Sequence, residues 1–410
     1  MEKVCRSREW DNEFSMPLGI YISVPFCRTK CSYCNFASDV FSRAVFERYV
    51  DRVCADTVNA PQVAEDMGGR MERAVDSIYL GGGTPTVLEA PQLERIFAAV
   101  RGQFDVSPRA EVTVECAPGT LTSAMLESLL RCGVNRISLG VQSFVDQESA
   151  AVGRLHKRTT VLEDIARLRT AGIVNINIDL IAGLPHQTAE SWKFSVVEAI
   201  ASGVGHVSVY MLEVDEDSRL GSELLAGGTR YHAHFVPDED AMSDFYLAAC
   251  ERLESARIAQ YEISNFAREG FESLHNLKYW MRQPYLGFGV DAHSMLASTK
   301  PDLTAVRFAA ADSLERYMGG ADLQRTPVSR RAAFEESFFL GLRMTRGVCL
   351  RKLAAEFGSE VVEGAQAAIA EFVDSGLMEQ RDDFVGLTAR GRLLSNEVFE
   401  RFILADEIAG

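Results

Sequence analysis

Cys27, Cys31 and Cys34 stand at C-x3-C-x2-C spacing within eight residues, with Arg28 and Lys30 between them. Three thiolates on one loop can each hold one iron of a [4Fe-4S] cube and leave its fourth iron without a cysteine. The open iron is a place where the amino and carboxylate groups of S-adenosylmethionine (SAM) can chelate, presenting the sulfonium for one-electron cleavage. A structural zinc site asks for four ligands, commonly as two separated pairs, and the chain has no second C-x2-C pair. Buried core thiols do not usually gather on one loop beside two basic residues.

Other residues could serve such a cofactor. Gly81, Gly82 and Gly83 follow a short apolar strand, where bare backbone can approach a ligand or simply make a tight turn. Glu115 and Gln142 close two neighbouring strands and suit a pair of ribose hydroxyls, one as acceptor and one as donor and acceptor. Arg154, in Gly-Arg-Leu-His, offers a fork to the SAM carboxylate, or a salt bridge to a neighbouring acid.

These residues need a scaffold that places strand ends together. Apolar or alternating runs at 77–80, 111–115, 136–141, 174–181 and 206–211 read as strands. Helical spacing marks 41–60, 121–130, 161–171 and 191–201. Strands and helices alternating at this interval imply right-handed crossovers and a parallel sheet. With about six units and polar residues at successive strand ends, the expected fold is α/β, a partial (β/α)6 TIM-barrel-like core. Cys27, the glycines, Glu115, Gln142 and Asp179 then share the C-terminal ends of the strands, where barrels carry their sites.

Beyond Met211 the pattern loosens. Residues 213–237 are acidic and irregular, with His232 and His234 flanking Ala233; 238–256 reads as a helix and 286–294 as a glycine-punctuated turn. The two histidines could be a second metal or heme contact, or simply be solvated, as exposed loop histidines usually are. A polar connector at 319–329 marks a boundary. Helices at 334–342, 350–357 and 361–375 and a small hairpin follow, a winged-helix-like pattern. The expected organisation is a core at 1–215 with the cluster and SAM site, an extension at 216–320, and a C-terminal domain at 321–410.

The 410 residues suffice for one large and one small domain. No apolar run reaches the length of a membrane span, and residues 1–15 lack the apolar stretch of a secretory leader. Nine cysteines, an odd number without paired spacing, fit a reducing cytoplasm. A net charge of −16 disfavours a nucleic-acid partner. In the winged segment acids outnumber bases, so it is expected to pack rather than bind DNA.

Six stretches in order carry a resemblance: Tyr-Ile-Ser-Val-Pro-Phe-Cys from residue 21, Gly-Gly-Gly-Thr-Pro from 81, Ser-Leu-Gly-Val-Gln-Ser-Phe from 138, Asp-Leu-Ile-Ala-Gly-Leu-Pro from 179, Tyr-Glu-Ile-Ser-Asn-Phe-Ala from 261 and His-Asn-Leu-Lys-Tyr-Trp from 275. The chain resembles the radical SAM proteins around oxygen-independent coproporphyrinogen III oxidase, and within them the HemW-type heme chaperones. The resemblance implies SAM contacts from Tyr21, Gly82, Gly83, Thr84, Glu115, Gln142, Arg154 and Asp179, with the backbone at Ala182 near the adenine. The oxidase type has a further cysteine two residues after the third ligand, where this chain has Phe36. It also has a longer segment before the first strand. The chaperone type has Asn-Phe, present here as Asn35 and Phe36, and the His-Asn-x-x-Tyr-Trp motif. Its His275 could supply an imidazole to heme iron, with Tyr279 and Trp280 as flat packing faces. The rival reading is an aromatic corner whose histidine is hydrogen-bonded in the core. Two departures stand out: Ala182 replaces a commonly aromatic residue, and Val290-Asp291 precedes His293 where relatives usually have Pro-Gly or Ala-Gly.

The resemblance implies a cytoplasmic chaperone that carries heme b to heme-requiring, membrane respiratory enzymes. It would hold a cluster and SAM, form a homodimer when cluster-loaded, make peripheral membrane contact compatible with such recipients, and lack oxidase activity. The alternative is a radical SAM enzyme acting on a tetrapyrrole, as a coproporphyrinogen oxidase-like protein or a class C type methyltransferase.

Overall fold

The computed structural model describes residues 16–216 and 218–403; the stretch read above for a leader lies outside them. Six parallel strands lie side by side in chain order: β1 (Leu18–Val24), β2 (Ala74–Gly82), β3 (Asp105–Cys116), β4 (Arg136–Gln142), β5 (Asn175–Ala182) and β6 (His206–Met211). Their registers run in phase, so Tyr21 faces Tyr79, Glu115 faces Ser138 and Gly140 faces Asp179. Helices Arg43–Val58, Ala90–Gln103, Ser123–Arg131, Arg158–Thr170 and Ala189–Ala201 fill the crossovers. Parallel neighbours require such long connections, and the sequence supplies a helix for each.

The period of two along each strand sorts side chains between two environments. Ile78, Leu80, Val112, Val114, Ile137, Leu139, Ile176, Ile178, Val207 and Val209 belong to one large apolar core. The alternate residues Tyr79, Glu115, Arg136, Ser138, Asn177, Asp179, His206, Ser208 and Tyr210 wall a polar cavity. A strand buried on both faces is usually apolar throughout, so these polar lumen positions are what set the sheet apart as a site.

At the β6 edge, β7 (Asn265–Ala267) runs antiparallel. At the β1 edge, β8 (Tyr285–Phe288) joins in parallel, followed by the antiparallel strands β9 (His293–Ser298), β10 (Leu303–Ala309) and β11 (Gln324–Ser329). Among the described residues the two edges do not pair, and the barrel is open. The expected turn at 286–294 therefore contributes a seventh parallel strand: Leu286-Gly-Phe288 is short and apolar, and the whole sheet supplies its partner. The connector at 319–329 ends in β11, whose exposed Pro327 suits an edge strand. A polar composition there reflects the solvent-facing edge.

The C-terminal segment has its own core around Phe334, Phe338, Phe357 and Phe402, with Phe338 and Phe402 stacked at 4.6 Å. Helices Arg330–Gly341, Leu350–Phe357 and Ser359–Asp374 and the hairpin of Met378–Arg381 and Phe384–Leu387 make the winged-helix-like shape. Met295 and Ala305 of the large sheet reach into this core. Glu336 ties the two parts: its carboxylate meets Arg282 at 3.1 Å and Arg307 at 2.7 Å. Glu336→Ala would remove the carboxylate shared by Arg282, which keeps Ser337, and by the partly exposed Arg307, and a loss of about 2 kcal/mol is expected in urea unfolding. Unchanged stability would show that water already screens the pair.

Candidate functional site

The cluster loop leaves β1 through Pro25 and is closed by backbone bonds. Cys27 N–H donates to Asp39 at 3.0 Å, Asp39 N–H to Pro25 at 3.0 Å, and Cys34 N–H to Cys31 at 3.3 Å. The three thiols, all free, line one end of a cavity of about 380 Å³. Around them Thr84 Oγ1 reaches Cys27 Sγ at 4.0 Å, Ser38 Oγ lies 3.9 Å from Cys34 Sγ, and Arg154 donates to Cys31 Sγ at 3.6 Å. Such donors stabilise thiolates against the burial that pushes the Cys27 and Cys34 thiols up.

β2 ends against this loop. A Cβ on Gly83 would lie 2.7 Å from the Phe26 carbonyl oxygen and 2.8 Å from that of Val24, while Gly83 N–H donates to Val24 at 2.8 Å. Gly82 takes φ 99°, a conformation open to glycine. The glycines thus let the two strand ends meet at the cavity rim.

Gly82, Gly83, Thr84, Glu115, Gln142, Arg154 and Asp179 all border the cavity. Two of them carry buried polar atoms without a partner: Gln142 Oε1 and Arg154 Nε. Gln142 also holds φ 69°, a strained value for a side-chain-bearing residue. Unsatisfied groups of this kind call for an additional ligand. The donor set fits a cluster on three thiolates beside a SAM molecule: an acid and an amide for hydroxyls, a guanidinium for a carboxylate, and bare backbone at the glycines. The other arms of Arg154 are held by Cys31 Sγ and the Gly140 carbonyl.

Ala182 is fully buried and its carbonyl accepts from Leu212 N–H at 2.8 Å; Ile181, Met211 and Leu212 are the residues that wall the cavity there. Tyr21 also stands behind the wall, its ring 6.2 Å from that of Tyr79. Tyr79 lines the cavity and donates to Glu115 Oε1 at 2.8 Å. Sequence reading missed Tyr79, Arg136, Asn177, His206 and Tyr210; their signal was a polar residue at every second position of otherwise apolar strands. Asn177 joins them, donating to Asp179 at 2.7 Å and lying 2.6 Å from His206 Nδ1.

Burial pushes the Glu115 carboxyl up to about 7, with the neighbouring Asp179 adding to the effect. The unfolded chain ionises near 4.5, so the folded state holds this proton more tightly. Its contribution to stability is full below that value and lost as pH rises through 7, on the order of 3 kcal/mol. Glu115→Gln, which stays neutral, should therefore lose less stability than the parent between pH 5 and 8 in urea unfolding of cofactor-free protein. Parallel pH profiles would sink this assignment.

His275 itself does not line the cavity, although Ser273 and Asn276 beside it do. Helix Leu274–Trp280 plugs the opposite end of the barrel, where Glu111 accepts the N–H groups of Leu274 and His275, each at 3.1 Å. The imidazole is 1% exposed; Nδ1 is 3.0 Å from Ser77 Oγ and Nε2 2.8 Å from Tyr279 Oη. Lys278 closes the plug, bonded to Asp76 at 2.7 Å and the Pro17 carbonyl at 2.8 Å. Tyr279 packs on Tyr285 at 4.6 Å, and the Arg343 guanidinium covers the Trp280 ring at 4.4 Å. Burial, with Lys278 beside it, pushes the imidazole down to about 3. This conformation matches the hydrogen-bonded aromatic corner, with both ring nitrogens of His275 taken by protein, while Tyr279 and Trp280 are only partly buried and Trp280 Nε1 has no partner among the described residues. Asp291 adopts φ 55°, a left-handed value more usual for glycine, and it pairs at 3.8 Å with His293 outside the cavity wall.

Comparisons with known proteins agree with this architecture. Residues 21–196 match the model of the radical SAM superfamily and residues 328–394 that of the HemN C-terminal domain. Over 394 residues the chain is 32% identical to the heme chaperone HemW of Lactococcus lactis subsp. lactis (strain IL1403), covering 95% of this chain and 98% of that one. It is 30% identical to the heme chaperone HemW of Escherichia coli (strain K12), covering 94% and 98%. The solved structure of coproporphyrinogen III oxidase (HemN) from Escherichia coli, described as a radical SAM enzyme, superposes with a TM-score of 0.79 at 23% identity, covering 95% of this chain and 90% of that one. The partial barrel with its winged C-terminal domain is thus a HemN-like fold. With near-complete coverage at this identity and both segments matched in order, the chain belongs to the radical SAM superfamily and, within it, to the HemW family of heme chaperones.

Proposed function

We propose that this protein binds heme b and hands it to heme-requiring respiratory enzymes of a membrane, with a [4Fe-4S] cluster on Cys27, Cys31 and Cys34 and SAM in the adjoining cavity. The observation that carries the chaperone reading is the similarity over almost the whole chain to proteins named heme chaperones. It is supported by Phe36, 66% exposed, at the place where the oxidase type has a further cysteine. When bound, the cluster and SAM supply one-electron cleavage of a sulfonium carbon–sulfur bond. The residues of the chain do the positioning: Gln142 and Glu115 take hydroxyls, Arg154 Nε takes a carboxylate, and the Gly82–Gly83 backbone admits the ligand to the rim.

The second reading is a tetrapyrrole-modifying radical SAM enzyme. The feature that favours it is the polar lumen below the SAM residues, where Arg136, Asn177, His206 and Asn265 could orient a substrate. One experiment separates the two. Cluster-loaded protein is incubated anaerobically with heme, desalted and examined by absorbance, and in parallel with coproporphyrinogen III, SAM and a reductant. Near-stoichiometric heme with no decarboxylated product supports the chaperone. Absence of retained heme, or 5'-deoxyadenosine formed in step with a modified tetrapyrrole, overturns it. Among the described residues no helix is long and apolar enough to cross a membrane.

A further inference from the structure

The chain has seven histidines, and the structure divides them sharply. His156, His206 and His275 are buried, and their rings are hydrogen-bonded to Val141 O, to Asn177 and Tyr261, and to Ser77 and Tyr279. His293 sits beside Asp291. The other three, His186, His232 and His234, have no ring hydrogen bond among the described residues, and they gather around one exposed phenyl ring. His186 and His234 each lie 4.1 Å from the Phe235 ring centroid, and His232 lies 5.0 Å from His186. Phe235 is 46% exposed.

The group is built from two segments far apart in sequence. His186 follows β5 through Gly183-Leu184-Pro185, and its N–H donates to Phe235 O at 3.0 Å. His232, His234 and Phe235 sit on a short 3-10 turn, Ala233–Phe235. Ala233 anchors that turn in an apolar cluster with Leu184, Leu220 and Val152, against which Tyr33 of the cysteine loop packs. Glu223 of helix Arg219–Ala226 also holds it, accepting from Tyr231 N–H at 2.7 Å and Ala233 N–H at 3.2 Å. The same helix is tied to the cluster loop: Leu220 N–H donates to Ser32 at 2.8 Å and Arg219 to Lys30 at 3.3 Å. Its Leu224 and Leu225 are exposed at 53% and 68%. His186 and His232 both hold φ above 60°, so the backbone accepts strain to set these rings.

Uncommitted imidazoles beside an exposed aromatic ring suit an iron porphyrin, which needs one or two nitrogen ligands and apolar faces to lie against. An imidazole must be neutral to ligate, and partial burial with its two histidine neighbours keeps His186 below its ordinary range. Resting on the heme-chaperone reading above, we propose that heme is held on this surface beside the cysteine loop, its iron ligated by an imidazole of the His186, His232 and His234 group and its ring edge beside Phe235. The site is open to solvent, as a carrier that must release its cargo to another protein requires.

The test uses the full-length, cluster-loaded protein titrated with hemin, with absorbance and electron paramagnetic resonance as readouts. The triple variant His186→Asn, His232→Asn, His234→Asn keeps residues that tolerate left-handed backbone, so folding is preserved. At least tenfold weaker hemin retention with an altered iron spin state, at an unchanged melting temperature, is expected. Phe235→Ser should weaken retention without changing the ligand signature. A triple variant that retains hemin with the parent's spectrum overturns this placement and leaves the chaperone reading standing. A parent that retains no hemin overturns both. Metal-free protoporphyrin IX bound by the parent as tightly as hemin would overturn ligation through iron.

Discussion

Replacing Cys27, Cys31 and Cys34 together by alanine is expected to abolish iron and acid-labile sulfide retention after anaerobic reconstitution. SAM binding should weaken by more than about 100-fold, since loss of even a supporting contact to a metal ligand typically costs about 10–100-fold. The effect would fall on the cofactor and not on the fold. The loop is closed by backbone bonds from Cys27, Ser32, Cys34 and Asp39, and none of these uses a thiol. The cofactor-free variant should therefore unfold within about 1 kcal/mol of the cofactor-free parent. If the cluster drives dimer formation, the parent shifts to a larger species on size exclusion when loaded and the variant does not. Iron and sulfide retained at the parent's level would sink the cluster assignment; identical size-exclusion behaviour would sink the dimer alone.

His275→Ala is expected to destabilise the fold strongly. The substitution leaves Ser77 Oγ and Tyr279 Oη without their buried partner and opens a space under Gly19, to which the ring comes so close that a Cβ there would lie 3.2 Å from His275 Cε1. Two unpaired hydroxyls and a partial cavity amount to about 3 kcal/mol. The pH dependence identifies the cause. The ring is neutral in the folded protein down to about 3, whereas in the unfolded chain it binds a proton near 6.5. A depressed value means stability that is full above the unfolded pKa and lost as pH falls through the folded one, so the parent should weaken between pH 7 and 4 more steeply than the variant. Folded His275→Ala should still retain hemin. Loss of hemin at full stability would return the iron to this residue and refute the surface site.

Much of the scaffold was legible because local pattern and global fold agree. Strands at 136–141 and 206–211 were placed to within a residue, since their alternation has nothing to compete with it. Helix Arg219–Ala226 was passed over, because its surroundings are acidic and glycine-rich and its apolar side chains include the solvent-facing Leu224 and Leu225. Ala90–Gln103 also escaped, although Glu89 and Gln92 form a capping box and Pro91 sits in its first turn. β8 was unreadable for a different reason: a short glycine-containing strand is defined by its neighbour, and β1 supplies that neighbour from the far end of the chain.

The sequence by itself set out the candidate ligands. Three cysteines within eight residues, a glycine run after a strand, and polar groups at strand ends are local facts, and the crossover fold carries them to one rim. Tertiary structure alone decided which histidines are free. His275 and the pair His232 and His234 look alike as letters beside aromatic residues. Burial commits the first to Ser77 and Tyr279, because a desolvated imidazole must find partners inside the protein. The others stay unpaired because water serves them at the surface, and their third member, His186, joins them only through the folding of β5 against the 3-10 turn.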